Sequence, residues 1–266
     1  MALHPSAVAA GFRSAAFATL SSTNTHALEL ARGGEPGPLW VIAERQTGGH
    51  GRRGNPWVSP LGNLYATLLL TDPAAPECAA QSSFVSALAV HDAIIDCAPG
   101  LREMVKLKWP NDVLCDGRKL AGILIEGEQV AHGLAVAIGV GVNVRQHPDG
   151  TAYPATDLAA AGADMSAESL FTALSAAMVE RLAQWRRGSA FAAIRNDWLE
   201  RAAFKGGEMK VRLPSGELSG RYESLDDRGC LMLRLGDGTL QAIAAGEVFP
   251  VSGAVSDRRL ATARIE

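Results

Sequence analysis

Cysteine is scarce in this chain, and the little there is does not cluster. The four thiols, Cys78, Cys97, Cys115 and Cys230, form no C-x-x-C pair and no metal knuckle. That argues against a disulfide framework or a structural zinc site and suits reduced thiols in the cytoplasm. The six histidines are scattered too, and with no H-E-x-x-H a zinc hydrolase is not expected. Charge of one sign is also missing: 25 Lys and Arg stand against 28 Asp and Glu, a net of −3. No basic face announces itself, so nucleic acid is not an expected partner. The longest apolar run, Leu134 to Val144, is broken by Gly139, Gly141 and Asn143 and is too short to span a membrane. The N-terminus is Ala-rich but interrupted by Pro5, Arg13 and several serines, without the continuous apolar stretch of a signal peptide.

What is there is a chain of 266 residues, 47% of them hydrophobic, enough for one large domain or two ordinary ones with a core that needs no cross-link. Ser21 to Asn24 read as a helix N-cap before His26–Arg32, with Gly33-Gly34 as the stop. Leu39–Glu44 and Leu64–Leu70 read as strands, and Ala80–Cys97 has helical spacing. Val105–Trp109 is a strand halted by Pro110. Val113–Cys115 and Leu120–Glu126 flank Asp116-Gly117, a hairpin turn. Leu134–Val144 is a further strand, paired with Leu120–Glu126 across Gly127–Gly133. Helices follow over Ser166–Arg187, with Glu168 in the first turn, and over Phe191–Phe204. After Lys205-Gly206-Gly207 the pattern changes to short strands separated by Pro214–Gly216, Asp226–Gly229 and Gly236–Gly238, the signature of a small all-β domain. The expected division is therefore 1–205, 206–252 and a loose tail over 253–266.

One motif invites a wrong reading. Gly49-His50-Gly51-Arg52-Arg53-Gly54 matches G-x-G-x-x-G after a strand, but a dinucleotide-binding turn must open a helix. Asn55-Pro56-Trp57-Val58-Ser59-Pro60 leaves no room for one. The same loop, with glycines at 48, 49, 51 and 54 and cations at 52 and 53, reads either as a solvated surface loop or as a mobile cover for a phosphate-bearing ligand. A second cluster, Lys108-Trp109-Pro110-Asn111-Asp112, lies between two strands. Read alone it is a turn, or a place where Asp112 meets Mg²⁺ and Asn111 a polar ligand group. The Asp116-Gly117 hairpin can bring Lys119 back beside both. Gly122, Gly139 and Gly141 are unexpected inside strands and mark either bulges or close approach of a ligand.

Together these segments resemble the biotin–protein ligase family. The match runs through Ser22-Thr23-Asn24, Glu44-Arg45-Gln46, the 49–54 loop with Trp57, Lys108–Asp112, Arg118–Leu124 and Ile138–Asn143. It extends to Gly229–Leu231 and Gly246–Val248 near the C-terminus. The resemblance implies an α+β fold: a mixed, mainly antiparallel sheet flanked by helices, of the class II synthetase-like biotin/lipoate ligase type, plus a small C-terminal SH3-like β-barrel. It implies ATP and biotin as substrates with Mg²⁺, and a biotin carboxyl carrier domain, such as that of acetyl-CoA carboxylase, as acceptor. Catalytic roles fall to Arg52 and Lys119. Ser22, Thr23, Asn24, Gln46, Gly49, Gly51, Arg52, Lys119, Gly122, Gly139 and Gly141 would form the biotin site. Arg52, Arg53, Gly54, Trp57, Asn111, Lys119 and Asn143 would meet the nucleotide, and Asp112 would support Mg²⁺.

Two residues depart from that pattern: His50 stands where relatives carry a third basic residue, and Val251 where some carry a basic one. Some relatives have an N-terminal helix-turn-helix repressor domain, for which the residues before Ser22 leave no space, so a ligase without DNA binding is expected. A homodimer is left open. A lipoate or octanoate ligase is the alternative enzyme, against which the Lys-Trp-Pro-Asn-Asp cluster counts. A non-catalytic sensor of biotin or nucleotide is the alternative outside enzymes, against which Arg52, Asp112 and Lys119 count.

Overall fold

The computed structural model describes residues 1–251; the expected tail lies outside the described residues. The chain forms two compact units, Met1–Ala202 and Ala203 onward.

The first unit is built on seven strands: β1 (Arg13–Leu20), β2 (Leu39–Gln46), β3 (Leu64–Thr71), β4 (Val105–Lys108), β5 (Asp112–Cys115), β6 (Arg118–Val130) and β7 (Gly133–Val142). Their order is β1-β2-β3-β7-β6-β5-β4. Only β1 and β2 pair in parallel; every other neighbour is antiparallel. Five helices accompany them: α1 (Pro5–Ala9), α2 (Thr23–Arg32), α3 (Ser82–Cys97), α4 (Ala167–Trp185) and α5 (Phe191–Glu200).

Strand alternation decides what each face of the sheet meets. Trp40, Ile42, Leu64, Ala66, Leu68, Ile138 and Val140 are buried on one face. Trp40 meets Phe171 of α4 edge-on at 5.5 Å, and Phe84 of α3 packs against Phe191 and Trp198 of α5. On the other face Leu39, Val41, Leu69, Ala135 and Ala137 pack with Ala27 and Ala31 of α2. Farther along the same strands that face becomes Thr67, Gly139, Gly141 and, opposite Gly141 in register, Gly122.

Several boundaries differ from expectation. The β6–β7 ladder continues to Val130↔Gly133, so Gly127 lies inside a strand and only Ala131 and His132 turn the chain. Helix α4 stops at Trp185 because Arg186 and Arg187 adopt left-handed backbone, φ 50° and 56°. α5 ends at Glu200, after which Ala202 bridges to Leu107 of β4. α1 and the edge strand β1 were not anticipated: Arg13–Leu20 carries no deeply buried residue to give it a pattern. The helical run Pro76–Cys97 is long and apolar enough by composition to cross a bilayer, contrary to expectation, but most of its apolar stretch is buried within the protein. Its apolarity serves the core.

The second unit is a five-stranded antiparallel sheet of β8 (Glu208–Leu213), β9 (Gly216–Leu225), β10 (Leu231–Arg234), β11 (Leu240–Ile243) and β12 (Glu247–Pro250), in the order β11-β10-β9-β8-β12. Met209, Val211, Tyr222, Leu225, Leu231, Leu233, Ile243 and Val248 are buried as its core. Its turns fall at the glycine-bearing segments, with Gly216, Gly229 and Gly238 at positive φ, where a side chain is disfavoured.

Candidate active site

The β-face that α2 leaves uncovered is floored by glycine, and polar side chains gather at its rim. Ser22 caps α2, its hydroxyl accepting from Thr25 N at 3.4 Å, so it serves the helix. Thr23 donates from its backbone N and its hydroxyl to Gln46 Oε1 at 2.8 and 3.1 Å. Gln46 Nε2 donates to Ser59 Oγ at 3.1 Å, and Ser59 donates to the Trp57 carbonyl at 3.0 Å. The fully buried Thr67 hydroxyl lies 2.8 Å from Thr23 Oγ1 and 2.7 Å from Asn24 Oδ1. Asn24 Nδ2 donates to Glu126 Oε2 at 2.8 Å. A continuous polar chain therefore joins α2, the end of β2, β3 and the 49–60 loop. Thr67, Ser59 and Glu126 are additions that sequence reasoning missed. Thr67 alone had a signal, a hydroxyl inside the apolar run Leu64–Leu70.

The glycines of the floor lie beneath side chains that a Cβ would crowd. A Cβ on Gly139 would collide with the Asn24 side chain, and one on Gly141 would lie 2.7 Å from the Trp57 indole. A Cβ on Gly122 would sit 3.2 Å from the same indole and 3.5 Å from Lys119 Cε. The space thus holds Asn24 and Trp57 in this structure. Gly49 is needed where Ser59, Gln46 and the Trp57 carbonyl crowd within 3 Å of its would-be Cβ. The Trp57 indole Nε1 is buried with no hydrogen-bond partner among the described residues. A buried unpaired donor costs about 1–3 kcal/mol and is satisfied when an acceptor arrives.

No helix follows the loop. Gly51 N donates to Asn55 O at 2.7 Å and Trp57 N to Gly49 O at 2.9 Å, folding the segment back on itself around one short turn, Arg52–Gly54. Arg53 and Gly54 stand exposed at its tip with φ of 58° and 72°, while Gly51 is extended at φ −110°. Arg52 turns inward, Nη1 lying 3.5 Å from Asn111 Oδ1. Asn111 Nδ2 also donates to Ile123 O at 2.5 Å. His50 Nε2 is 3.5 Å from Glu126 Oε1, so the histidine of the loop meets the carboxylate that also holds Asn24.

Across the hairpin, Lys119 Nζ lies 2.7 Å from Asp112 Oδ1 and Lys108 Nζ 3.1 Å from Asp112 Oδ2. Burial would raise the Asp112 carboxyl, but the Lys119 and Lys108 ammoniums outweigh it and hold the group below the usual carboxylate range. Both carboxylate oxygens are thus committed to lysines. Among the described residues no three His, Cys, Asp or Glu side chains gather as a metal site. The expected Mg²⁺ role of Asp112 does not fit this geometry; the residue anchors Lys119 instead. Asn143 lies just past the end of β7. Its side chain is buried and donates to Thr156 O at 3.0 Å, bracing the following segment. The two cations Arg52 and Lys119 end at adjacent residues, Asn111 and Asp112, and the Lys119 ammonium stands 5.5 Å from the centre of the Trp57 ring.

Residues 16–143 match the model of the biotin/lipoate A/B protein ligase family, and residues 206–249 that of the biotin protein ligase C-terminal domain. A biotin–[acetyl-CoA-carboxylase] ligase of Paracoccus denitrificans is 42% identical over 240 residues, which cover 87% of this chain and 98% of that one. The chain belongs to the biotin–protein ligase family. It is accordingly an enzyme, a ligase that forms a C–N bond. Within this family, a bifunctional ligase/repressor of Bacillus subtilis is 30% identical, with 85% of this chain and 70% of that one covered. The fold agrees with a solved biotin protein ligase of Aquifex aeolicus in complex with biotin and ATP, at a TM-score of 0.76 over 90% of this chain and 99% of that one, with 23% identity.

Proposed function

We propose that this ligase condenses biotin with ATP to biotinyl-5′-AMP and transfers the biotinyl group to a lysine of a biotin carboxyl carrier domain, such as that of acetyl-CoA carboxylase. The observation that carries this reading is the meeting of Lys119 and Arg52 at Asn111 and Asp112, beside a glycine floor with an amide-rich rim. Thr23 and Gln46, now bonded to one another, offer the donor and acceptor that a ureido ring needs. Trp57 lies on the floor with an unsatisfied indole N–H, and a ligand would lift it and give it a partner.

The chemistry follows from charge. A carboxylate attacking a phosphorus is repelled by the anionic oxygens around it, and negative charge grows on the bridging oxygen as pyrophosphate leaves. Lys119, fixed at the mouth by Asp112, and Arg52, carried in by the loop, offset both effects where they arise. The 49–57 loop then shields the mixed anhydride from water. In the second step the neutral ε-amine of the acceptor lysine attacks the anhydride carbonyl, the C–O bond breaks, AMP leaves and the amine loses its proton.

The test is the intact mass of an apo carrier domain after incubation with this protein, Mg-ATP and either biotin or lipoate. A biotin-sized gain with biotin alone is expected. A lipoyl gain would move the enzyme to the lipoate branch of the fold, and no gain with either would overturn the transfer step.

A further inference from the structure

Tyr153 belongs to none of the motifs shared with the family, yet its half-buried ring lies against one of the two lysines that hold Asp112. Its segment is fastened to Lys119 by backbone: Lys119 N donates to Pro154 O at 2.7 Å and Thr156 N to Lys119 O at 2.9 Å. Asn143 holds the same segment through Thr156 O. Tyr153 is thereby brought to the buried Lys108, whose Nζ lies 4.0 Å from the centre of its ring. The phenol donates to Gly117 O at 3.1 Å, tying the ring to the turn of the hairpin that carries Lys119. Burial, reinforced by the nearby Asp112 charge, pushes the phenol up to about 12, so the ring faces Lys108 in its neutral form.

Lys108 is 8% exposed at its side chain and Asp112 10%. An ammonium so far from water needs compensation on more than one side, and a ring face supplies it without competing for a hydrogen bond. If Lys108 wandered, Asp112 would be left to Lys119 alone and would draw that ammonium inward, away from a bound phosphate. We propose that Tyr153 is a positioning residue for adenylate formation: its ring face holds Lys108 against Asp112, and Asp112 in turn fixes Lys119 at the reacting phosphate. This rests on the role given to Lys119 above. Misplacement of a charge that acts mainly on the transition state lowers kcat more than it raises KM.

The experiment replaces Tyr153 by phenylalanine and by a series of ring-fluorinated phenylalanines, which keep shape while draining negative potential from the ring face. Adenylate formation is followed by pyrophosphate exchange. Tyr153→Phe should stay within about twofold of wild type in kcat. Successive fluorination should lower kcat stepwise, by about fivefold in all, the order expected for loss of a shielded cation–π contact, with KM for biotin nearly constant. In a Lys108→Met background the fluorination series should be flat. A flat series in the wild-type background, or an equal decline in both backgrounds, overturns the proposal while leaving the ligase reading intact. Absence of exchange in the wild type itself would overturn both.

Discussion

At the scale of single residues, the site depends on where two long cations are held. Lys119 has its amine fixed by Asp112 and its backbone fixed by the Pro154–Thr156 segment, so it is presented in one geometry. Lys119→Ala should cut the rate of adenylate formation at least tenfold, about 1.4 kcal/mol of barrier, and unchanged pyrophosphate exchange would contradict it. Arg52 is the inward arginine of the loop, resting on Asn111. Arg52→Gly should therefore let biotinyl-AMP escape faster, read as its dissociation rate; equal rates in variant and wild type would remove Arg52 from closure. Which residues gather at the site was legible where the chemistry needs an unusual residue type: the cations of the loop, the Asn-Asp pair, the lysine across a hairpin and glycines in strands. What those residues touch was not. Gly122, Gly139 and Gly141 admit Asn24 and Trp57, Asn143 looks away to Thr156, and Asp112 faces ammoniums, because contacts across the sheet join positions far apart in sequence. Tyr153 had no local signal, since a lone aromatic in a loop is indistinguishable from surface.

At the scale of elements, the helices that support the sheet are joined by one partly buried arginine. Arg181 of α4 donates to Asp92 of α3 at 2.7 Å and to Asp197 of α5 at 2.5 Å. Burial would raise both carboxyls; His91 and Arg181 at Asp92, and Gln184 and Arg181 at Asp197, bring them below their usual range. Carboxyls depressed in the folded state stabilise it fully above the unfolded value of about 4, and that contribution is lost as pH falls through the folded values. Arg181→Met should thus lose about 2 kcal/mol near neutral pH, and its deficit in urea unfolding should shrink as pH falls below about 4. A deficit that stays constant into that acid range would contradict the assignment. The longer helices and the inner strands were legible because their patterns are apolar and, in the helices, long; α1, with five residues, was too short to show one. β1 escaped because an edge strand with Ala and Ser on it has no such alternation, and the end of α4 because left-handed arginines carry no sequence mark.

At the scale of the molecule, the two units meet in chain order at a stretch where Lys205 and Gly206 are exposed, and we propose the boundary there. Brief trypsin treatment should cut early after Lys205, since exposed joints between compact units are preferred sites, and after Arg53 at the loop tip. Biotin with ATP should protect the cut at Arg53 and leave the one at Lys205 unaffected, as read by fragment mass. Protection of neither would argue against loop closure. The change to short strands after residue 205 made the second unit legible, because small β-domains advertise their turns.

The face-to-face pair Gly122 and Gly141 has a consequence for how such an enzyme can be retuned. A floor made of main chain presents nothing for substitution to shave away, and anything added to it strikes Trp57. If the floor holds biotin as proposed, selection for a bulkier analogue must remodel the walls, and Trp57 and Thr67, which stand on the 49–60 loop and on β3 respectively, would be the first positions to randomise in a directed-evolution library.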